Sequence, residues 1–541
     1  MRFSNCIQRS TESYQQSGSK GTIAAKVAYI ASGFLCVALF AITSTAHGQR
    51  AQGGSPRAPG GIEPRLDPKD KVPAETPVVT HHSLTLHGKV LEYTATTGRM
   101  PIKTSTGITD AEMFYVAYTL DKAGPKRPLT FAFNGGPGSA TIWLHMGAFG
   151  PKRVKMQPNG FMPAPPFELE DNQDTWLDKT DLVFVDAIGT GYSRALTAEA
   201  GKKYWGLLGD LDAFGEFVRL YLQDNSRWTS PLYLAGESYG TTRAAGLSGW
   251  LIDHGIALNG IVLISTVMNY QASSFAIGND LGYITYLPTY AMTAAYHNKL
   301  APELNKNPSE LLIEVQQFAN NEYPAILQKG DSLTPAERQA AVAKLVRFTG
   351  LSAKYIEQNR LRIDLAHFDT ELLRDDGKIV GRLDARFTGT NGSIPQQTPD
   401  YDPSEAAIRP PYTSTFGNYV KQELGYQTDL VYWVLGGGIG PWEFPVSGAG
   451  RQGFPDTSEM LRHAFALNPY MHVFVAEGYY DSATPMGGVE YTLNHMGLTE
   501  EAHKNIRRDY FAAGHMVYID KKSLTQLKKD VDQLFDETAP K

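Results

Sequence analysis

Hydrophobic and polar positions along this chain fall into three regimes. Ser83 to Thr97 and Met113 to Asp121 alternate apolar with polar side chains. That is the period of a strand covered on one face, and the order of the two segments predicts an antiparallel lead into a sheet. Four short apolar runs follow, Leu129 to Phe133, Leu182 to Asp186, Leu232 to Ala235 and Ile261 to Ser265. Each is bounded by turn residues and lacks alternation, as befits a central strand buried on both faces. From about Ala272 to Thr428 the spacing turns helical, clearest in Pro308 to Asn320 and Pro335 to Phe348, before a Pro-rich stretch from Ile394 to Pro411. Strand-like runs resume at Val473 to Ala476 and Arg508 to Ala512. The succession predicts an α/β protein: a mostly parallel central sheet flanked by helices, built from 78–271 and 429–541, with a mainly helical cap inserted at 272–428.

The N-terminal pattern is of another kind. Arg2, Arg9, Lys20 and Lys26 precede an uncharged, mostly apolar stretch from Val27 to Ala46 that ends in the small residues Ser44-Thr45-Ala46. Positive flank, apolar middle and small-residue end predict a secretory signal over 1–46, so the protein is expected to be exported to the periplasm or the cell exterior. An uncleaved anchor is the alternative, because 20 uncharged residues nearly span a bilayer. Cleavage would leave no stable membrane association. Gly48 to Pro77 are rich in Pro, Gly and charge with few large apolar side chains, and 47–77 read as a disordered linker. Both cysteines, Cys6 and Cys36, lie in the signal, so the cleaved chain has no disulfide to form. Cleavage also takes the formal charge from −6 to −9, by removing four basic residues and Glu12. A mildly acidic chain has no electrostatic reason to bind nucleic acid.

Candidate chemistry begins where the third apolar run ends. Gly236-Glu237-Ser238-Tyr239-Gly240 stands between the run Leu232 to Ala235 and a helical pattern, Thr241 to Leu251. Glycines on either side of a serine let a strand turn sharply into a helix and push the hydroxyl outward as a nucleophile. A serine needs a base, and the base needs an orienting group. Asp481, in the loop after Val473 to Ala476, and His515, in the loop after Arg508 to Ala512, are the candidates. The order Ser238, Asp481, His515 is that of the α/β-hydrolase fold. Upstream, Asn134-Gly135-Gly136-Pro137-Gly138-Ser139 follows a strand run and offers a backbone N–H to an oxyanion, with the N–H of Tyr239 as the second donor. Such a site needs no cofactor and no metal.

On these residues the chain resembles the serine carboxypeptidase family. The matching pieces are Asn134 to Gly138, Asn172 to Trp176, Asp186 to Ser193, Glu237 to Gly240, the Asp481 loop and Gly514-His515-Met516. They occur in the family's order between about 80 and 520. The resemblance implies a peptide substrate with a free C-terminus, Ser238 as nucleophile, His515 as general base and acid, and Asp481 as its orienting carboxylate. It implies the N–H groups of Gly136 and Tyr239 as oxyanion hole, and Asn134, Gly135, Glu237 and Met516 as the substrate-binding residues. Asn134 and Glu237 would bond the substrate carboxylate, and Met516 would wall the leaving-residue pocket. Two carboxyl groups approach within hydrogen-bonding distance only if one is protonated, which favours action in acid. The lack of cysteines past the signal is expected of a bacterial-type member.

The family pattern is broken in places. Ala132 stands where the family has a tryptophan, Ala148 where it has a second glutamate, and Asp186 to Gly191 is one residue short. These departures leave open an esterase or acyltransferase on the same triad, and more remotely a silent peptide-binding protein. Other signals carry less. His81, His82 and His87 sit on a strand-like segment without an acidic or Cys ligand pattern. Gly436 to Gly440 lacks the Lys-Ser/Thr of a phosphate loop and reads as a plain loop, with Trp433 and Trp442 beside it as packing residues. Asp186 and Trp176 are expected to be structural.

Overall fold

The computed structural model describes residues 76–539 apart from 125, 306 and 445–452. The expected signal and all but the last two positions of the expected linker lie outside the described residues. Among those described, no helix is long and apolar enough to cross a membrane.

Ten strands make the main sheet: β1 (Val78–Leu86), β2 (Lys89–Lys103), β3 (Thr109–Leu120), β4 (Leu129–Phe133), β5 (Asp181–Val185), β6 (Arg194–Ala195), β7 (Leu232–Ser238), β8 (Gly260–Thr266), β9 (His472–Gly478) and β10 (Ile506–Phe511). Their order is β1-β2-β3-β5-β4-β7-β8-β9-β10, with β6 paired to β3. Pairing is antiparallel from β1 through β3 to β5 and parallel from β5 to β10. This is the α/β-hydrolase architecture.

Successive side chains of a strand point to opposite faces, and here both faces are covered. Phe131, Phe133, Ile261 and Leu263 join one buried cluster with Phe214 and Leu247, from the helices Leu207–Asp224 and Tyr239–Asp253. Ala132, Val262 and Ile264 join the other, with Leu527 and Phe535 of the C-terminal helix Lys521–Thr538. Each fully buried Leu, Ile or Phe contributes about 1.5–3 kcal/mol of transfer free energy, which is why the central strands read as unbroken apolar runs.

The segment Ser83 to Thr97 is not one strand but parts of two. His87 and Gly88 adopt φ of 48° and 82°, and Leu86 pairs with Lys89, so β1 and β2 form a two-residue hairpin. The apolar phase records it: Leu84 and Leu86 lie on even positions, Leu91, Tyr93 and Ala95 on odd ones, and all five are buried. A two-residue turn demands that switch, because Leu84 faces Leu91 across the pair.

Between β8 and β9 the chain leaves the sheet. Residues 267–471 carry the helices Leu281–Tyr296, Pro308–Asn321, Pro335–Thr349 and Pro403–Gln422, and among the described residues no strand of this span joins the main sheet. Local rules explain its helices. Thr334 and Glu337 form a reciprocal capping box at the start of Pro335–Thr349, and Gly350 ends it in the left-handed region. The span has its own apolar cluster, including Tyr290, Phe318, Leu345 and Phe368. The helix Pro403–Gln422 begins inside the Pro-rich stretch, with Pro403 in its first turn after the Asp402 cap, and it holds Pro410 and Pro411 within it. Burial of Ile408, Tyr412, Phe416 and Tyr419 offsets the hydrogen bonds that the two prolines cannot make.

Candidate active site

The end of β7 and the start of the following helix enclose Ser238 at φ 60° and ψ −131°, a conformation that a residue with a side chain adopts only under constraint. The constraint is steric crowding by backbone. A Cβ on Gly236 would stand 2.2 Å from the Gly240 carbonyl oxygen, and one on Gly240 would stand 2.6 Å from that of Phe133. Gly135 lies over the same turn, where a Cβ would be 2.4 Å from the Tyr239 nitrogen. Gly136, Ser238 and Tyr239 line one cavity wall together. Tyr239 is the first residue of its helix, so its N–H has no intrahelical acceptor.

The loop 134–138 is itself propped by Gly436 to Gly440. Gly436 donates its N–H to Gly138 O at 2.9 Å, and a Cβ on Gly138 would meet Ile439 at 2.4 Å. Trp433 stacks on the Arg194 guanidinium at 3.7 Å. Trp442 packs edge-on against Tyr239 and also lines the cavity beside Ser238, a position that a pure packing role did not predict.

Asp481 and His515 stand on the loops that leave β9 and β10. His515 Nδ1 is 2.8 Å from Asp481 Oδ2. Asp481 is fully buried and accepts from the N–H groups of Ala483 and Thr484 at 2.8 and 3.0 Å and from the Thr484 hydroxyl at 2.7 Å. Its carboxylate is therefore locked towards the imidazole. Burial pushes the His515 pKa down, but the charge and hydrogen bond of Asp481, helped by Glu237, leave it raised above the ordinary histidine value.

Neighbouring elements hold the histidine loop. His515 N–H donates to Leu383 O at 2.6 Å, the Ser265 hydroxyl donates to His515 O at 2.5 Å, and Gly514 N–H donates to Asp384 Oδ2 at 3.1 Å. Arg386 forms a buried pair with Asp384 and donates to Ala512 O at 3.1 Å. The helical span thus fixes the base as firmly as the sheet does.

Glu237 is 3% exposed, beside the serine. Burial pushes its pKa up to about 7, with Asp481 adding to the shift and His515, the Tyr518 hydroxyl and Asn134 opposing it. The Tyr518 hydroxyl donates to Glu237 Oε2. Asn134 Oδ1 accepts the Leu144 N–H at 3.0 Å, which turns its amide nitrogen to the carboxyl. Ala148 is buried in the turn Leu144–Phe149, and a Cβ on the preceding Gly147 would meet the Tyr412 hydroxyl at 2.3 Å and the Tyr518 ring at 2.7 Å. Tyr518 was not singled out from sequence. Its only signal is its place three residues past His515. Asn172 donates to the carbonyls of Ala148 and Gly150, both at 2.9 Å, while Trp176 stacks on Phe149 at 3.9 Å. Asp186 accepts the Thr141 N–H at 2.7 Å. All three support the walls of the site.

Two cavities meet at Ser238. The smaller, about 90 Å³, is lined by Asn134, Gly135, Glu237, Arg382, His515 and Met516 among others. The larger, about 600 Å³, is walled by Tyr270, Phe275, Tyr286, Trp442 and Phe444, with the buried Asp369 at its edge. All nine residues singled out by the sequence reach one or both cavities except Asp481, which stands behind His515. Among the described residues no group of three or more His, Cys, Asp or Glu could hold a metal ion.

Residues 91–516 match the model of the family described as serine carboxypeptidase. Retinoid-inducible serine carboxypeptidase of Rattus norvegicus is 32% identical over 149 residues, 26% of this chain and 29% of that protein. Serine carboxypeptidase-like 51 of Arabidopsis thaliana is 25% identical over 224 residues, 39% of this chain and 42% of that protein. The chain thus spans less than half the length of either relative. The crystal structure of Kex1(delta)p, a prohormone-processing carboxypeptidase from Saccharomyces cerevisiae, superposes with a TM-score of 0.50 at 16% identity, covering 82% of this chain and 91% of that one. At that identity the likeness concerns the fold.

Proposed function

Because the chain belongs to the serine carboxypeptidase family, whose model matches residues 91–516, we propose that it is an exported hydrolase releasing C-terminal residues from peptides. The observation that carries this reading is the Asp481–His515 pair opening onto the same small cavity as Ser238 and the buried Glu237. Ser238 Oγ attacks the scissile carbonyl while His515 Nε2 takes its proton. Asp481 holds the ring through Nδ1 and stabilises the imidazolium. The N–H groups of Gly136 and Tyr239 receive the oxyanion. Collapse passes the proton to the leaving amine, and water then releases the acyl group from Ser238 by the same steps in reverse order of roles.

The geometry supports assigning the leaving residue to the smaller cavity, against Met516, with its carboxylate towards Asn134 and neutral Glu237. The acyl side then lies in the larger cavity, whose volume falls in the range of about 300–1,000 Å³ usual for ligand sites. The helical span 272–428 acts in this reading as the cap that shapes the approach. An esterase or acyltransferase is the second reading, favoured by Ala132 and Ala148, small residues at two positions of the family's carboxylate clamp.

A fluorophosphonate should label the parent and leave Ser238→Ala unlabelled; a folded parent that resists labelling would point to a binding protein. Comparing an N-blocked peptide as free acid and as C-terminal amide then separates the enzymatic readings. Preferential cleavage of the free acid is expected, and equal rates would favour the esterase.

A further inference from the structure

One charged group in the smaller cavity has no part in the steps above. Arg382 lines both cavities, at the boundary between them. It is half-buried, and its guanidinium makes no hydrogen bond or ion pair with any described residue. The nearby carboxylate of Asp402 is already engaged. Its Oδ1 accepts the N–H groups of Arg382 and Ser404 and the Ser404 hydroxyl, and its Oδ2 accepts the N–H of Leu383. A guanidinium carries five donors in a fixed fork and stays charged, so partial withdrawal from water without a partner is unfavourable unless a ligand supplies one. The planar fork matches a carboxylate.

The backbone of Arg382 is fixed in register with the base. Its N–H donates to Asp402 at 3.0 Å, the next residue accepts the His515 N–H at 2.6 Å, and Asp384 accepts the Gly514 N–H at 3.1 Å. Across the smaller cavity stand two further hydrogen-bonding groups, the Asn134 amide and the Glu237 carboxyl. Glu405 also lines this cavity, and its charge is shared with Arg409 at 3.2 Å. On the other side, the larger cavity presents Asp369, whose buried Oδ1 has no hydrogen-bond partner. Burial, with the charge of Asp402 adding to it and that of Arg382 opposing it, pushes its pKa well up and favours the neutral form, so it gives the guanidinium no hydrogen-bonded counter-ion. Asn134 and Glu237 line the smaller cavity and not the larger, so a carboxylate there can meet all three groups, which selects the leaving-residue side.

We propose that Arg382 pairs with the free α-carboxylate of the leaving residue, sharing it with Asn134 and Glu237, so that a guanidinium from the helical span takes the place of the second carboxyl that Ala148 cannot supply. The inference rests on the carboxypeptidase reading. It makes Arg382 a specificity-determining residue whose effect falls on substrates with a C-terminal charge. A charge-assisted hydrogen bond corresponds to about a 10- to 100-fold change in binding.

The test is the ratio of kcat/KM for an N-blocked dipeptide free acid to that for its C-terminal amide, measured in the parent, Arg382→Gln and Arg382→Lys. The ratio should fall about 10- to 100-fold in Arg382→Gln, mainly through KM for the acid, and recover in part in Arg382→Lys, which keeps the charge but not the fork. A merely structural role would lower both substrates together and slow fluorophosphonate labelling, leaving the ratio as it was; that result overturns the inference. Should Arg382→Gln fail to fold, Arg382→Lys alone decides, since a ratio equal to the parent's would refute a bidentate pairing. A parent without preference for the free acid removes the carboxypeptidase reading and this inference with it. A parent that prefers the acid, with variants that prefer it equally, removes only Arg382.

Discussion

The two halves of the site are built by different means. Ser238, Asp481 and His515 stand at or just past the carboxyl ends of β7, β9 and β10, so the register of neighbouring parallel strands brings them together. The groups around the smaller cavity come instead from a loop (Asn134), a strand end (Glu237), the turn Val517–Ile519 (Tyr518) and the helical span (Arg382). The first half depends on backbone geometry that many sequences can satisfy with the same few residues. The second depends on which side chains happen to exclude water from Glu237, and can change without disturbing the first. Family members with this sheet are therefore free to alter what they recognise while keeping how they cleave. On the proposed reading, Ala132 and Ala148 are such alterations here.

Breaking the first half should have the largest effect. Ser238→Ala and His515→Ala are expected to lower kcat by about 10⁵–10⁶ and Asp481→Asn by about 10⁴, with circular dichroism unchanged, because these groups move a proton and do not build the core. Combining Ser238→Ala with His515→Ala should add little to either alone. An Asp481→Asn variant that keeps most of its activity would detach that residue from the base.

The next effect comes from the glycine loop where the two halves touch. Gly135→Ala places a methyl 2.4 Å from the Tyr239 nitrogen and must displace backbone. A drop of about 10²–10³ in kcat is expected on esters and peptides alike, since the oxyanion donors move with the loop. A variant hindered only on free-acid peptides would instead assign Gly135 to recognition.

The recognition half is probed by pH. If Glu237 binds the substrate carboxylate as proposed, peptide cleavage requires it neutral and should decline about tenfold per pH unit above the Glu237 pKa of about 7. Ester hydrolysis requires neutral His515 and should rise through that residue's raised pKa, then persist into alkali. Glu237→Gln, neutral at every pH, should flatten the peptide decline. An unchanged decline would remove Glu237 from carboxylate binding.

The smallest effect sharpens the same point. The Tyr518 hydroxyl favours the ionised form of Glu237, since its hydrogen bond lowers a pKa that burial raises. In Tyr518→Phe that opposition is gone, the Glu237 pKa rises further, and the alkaline limb of peptide cleavage should move up by a fraction of a pH unit while the ester profile stays put. A shift to lower pH would mean that Tyr518 acts on Glu237 by some other route than donation.

Legibility followed the same division. The elbow, the glycine loop and the strand runs are local patterns, and the order of Ser238, Asp481 and His515 pointed to the fold that the sheet displays. The hairpin at His87 and Gly88 was equally local, written in the switch of apolar phase from Leu86 to Leu91, yet the exposed Val90 carries the even phase past the turn and hid it, because the turn is only two residues long. The helix across Pro410 and Pro411 was not legible, since proline argues against it and only the burial of Tyr412 and Phe416 overrules that preference.

What the sequence by itself determined is therefore what short stretches of backbone decide: a strand that turns on two glycines, a serine exposed by that turn, strands apolar enough to be buried on both faces. Tertiary structure alone decided which groups surround them. Tyr518 meets Glu237 across 281 residues, and Leu383 and Asp384 from the helical span hold the His515 loop. The reason is electrostatic as well as geometric. A carboxyl pKa depends on how much water its neighbours exclude and on which donors and charges replace it, and those neighbours are chosen by packing, not by proximity in the chain.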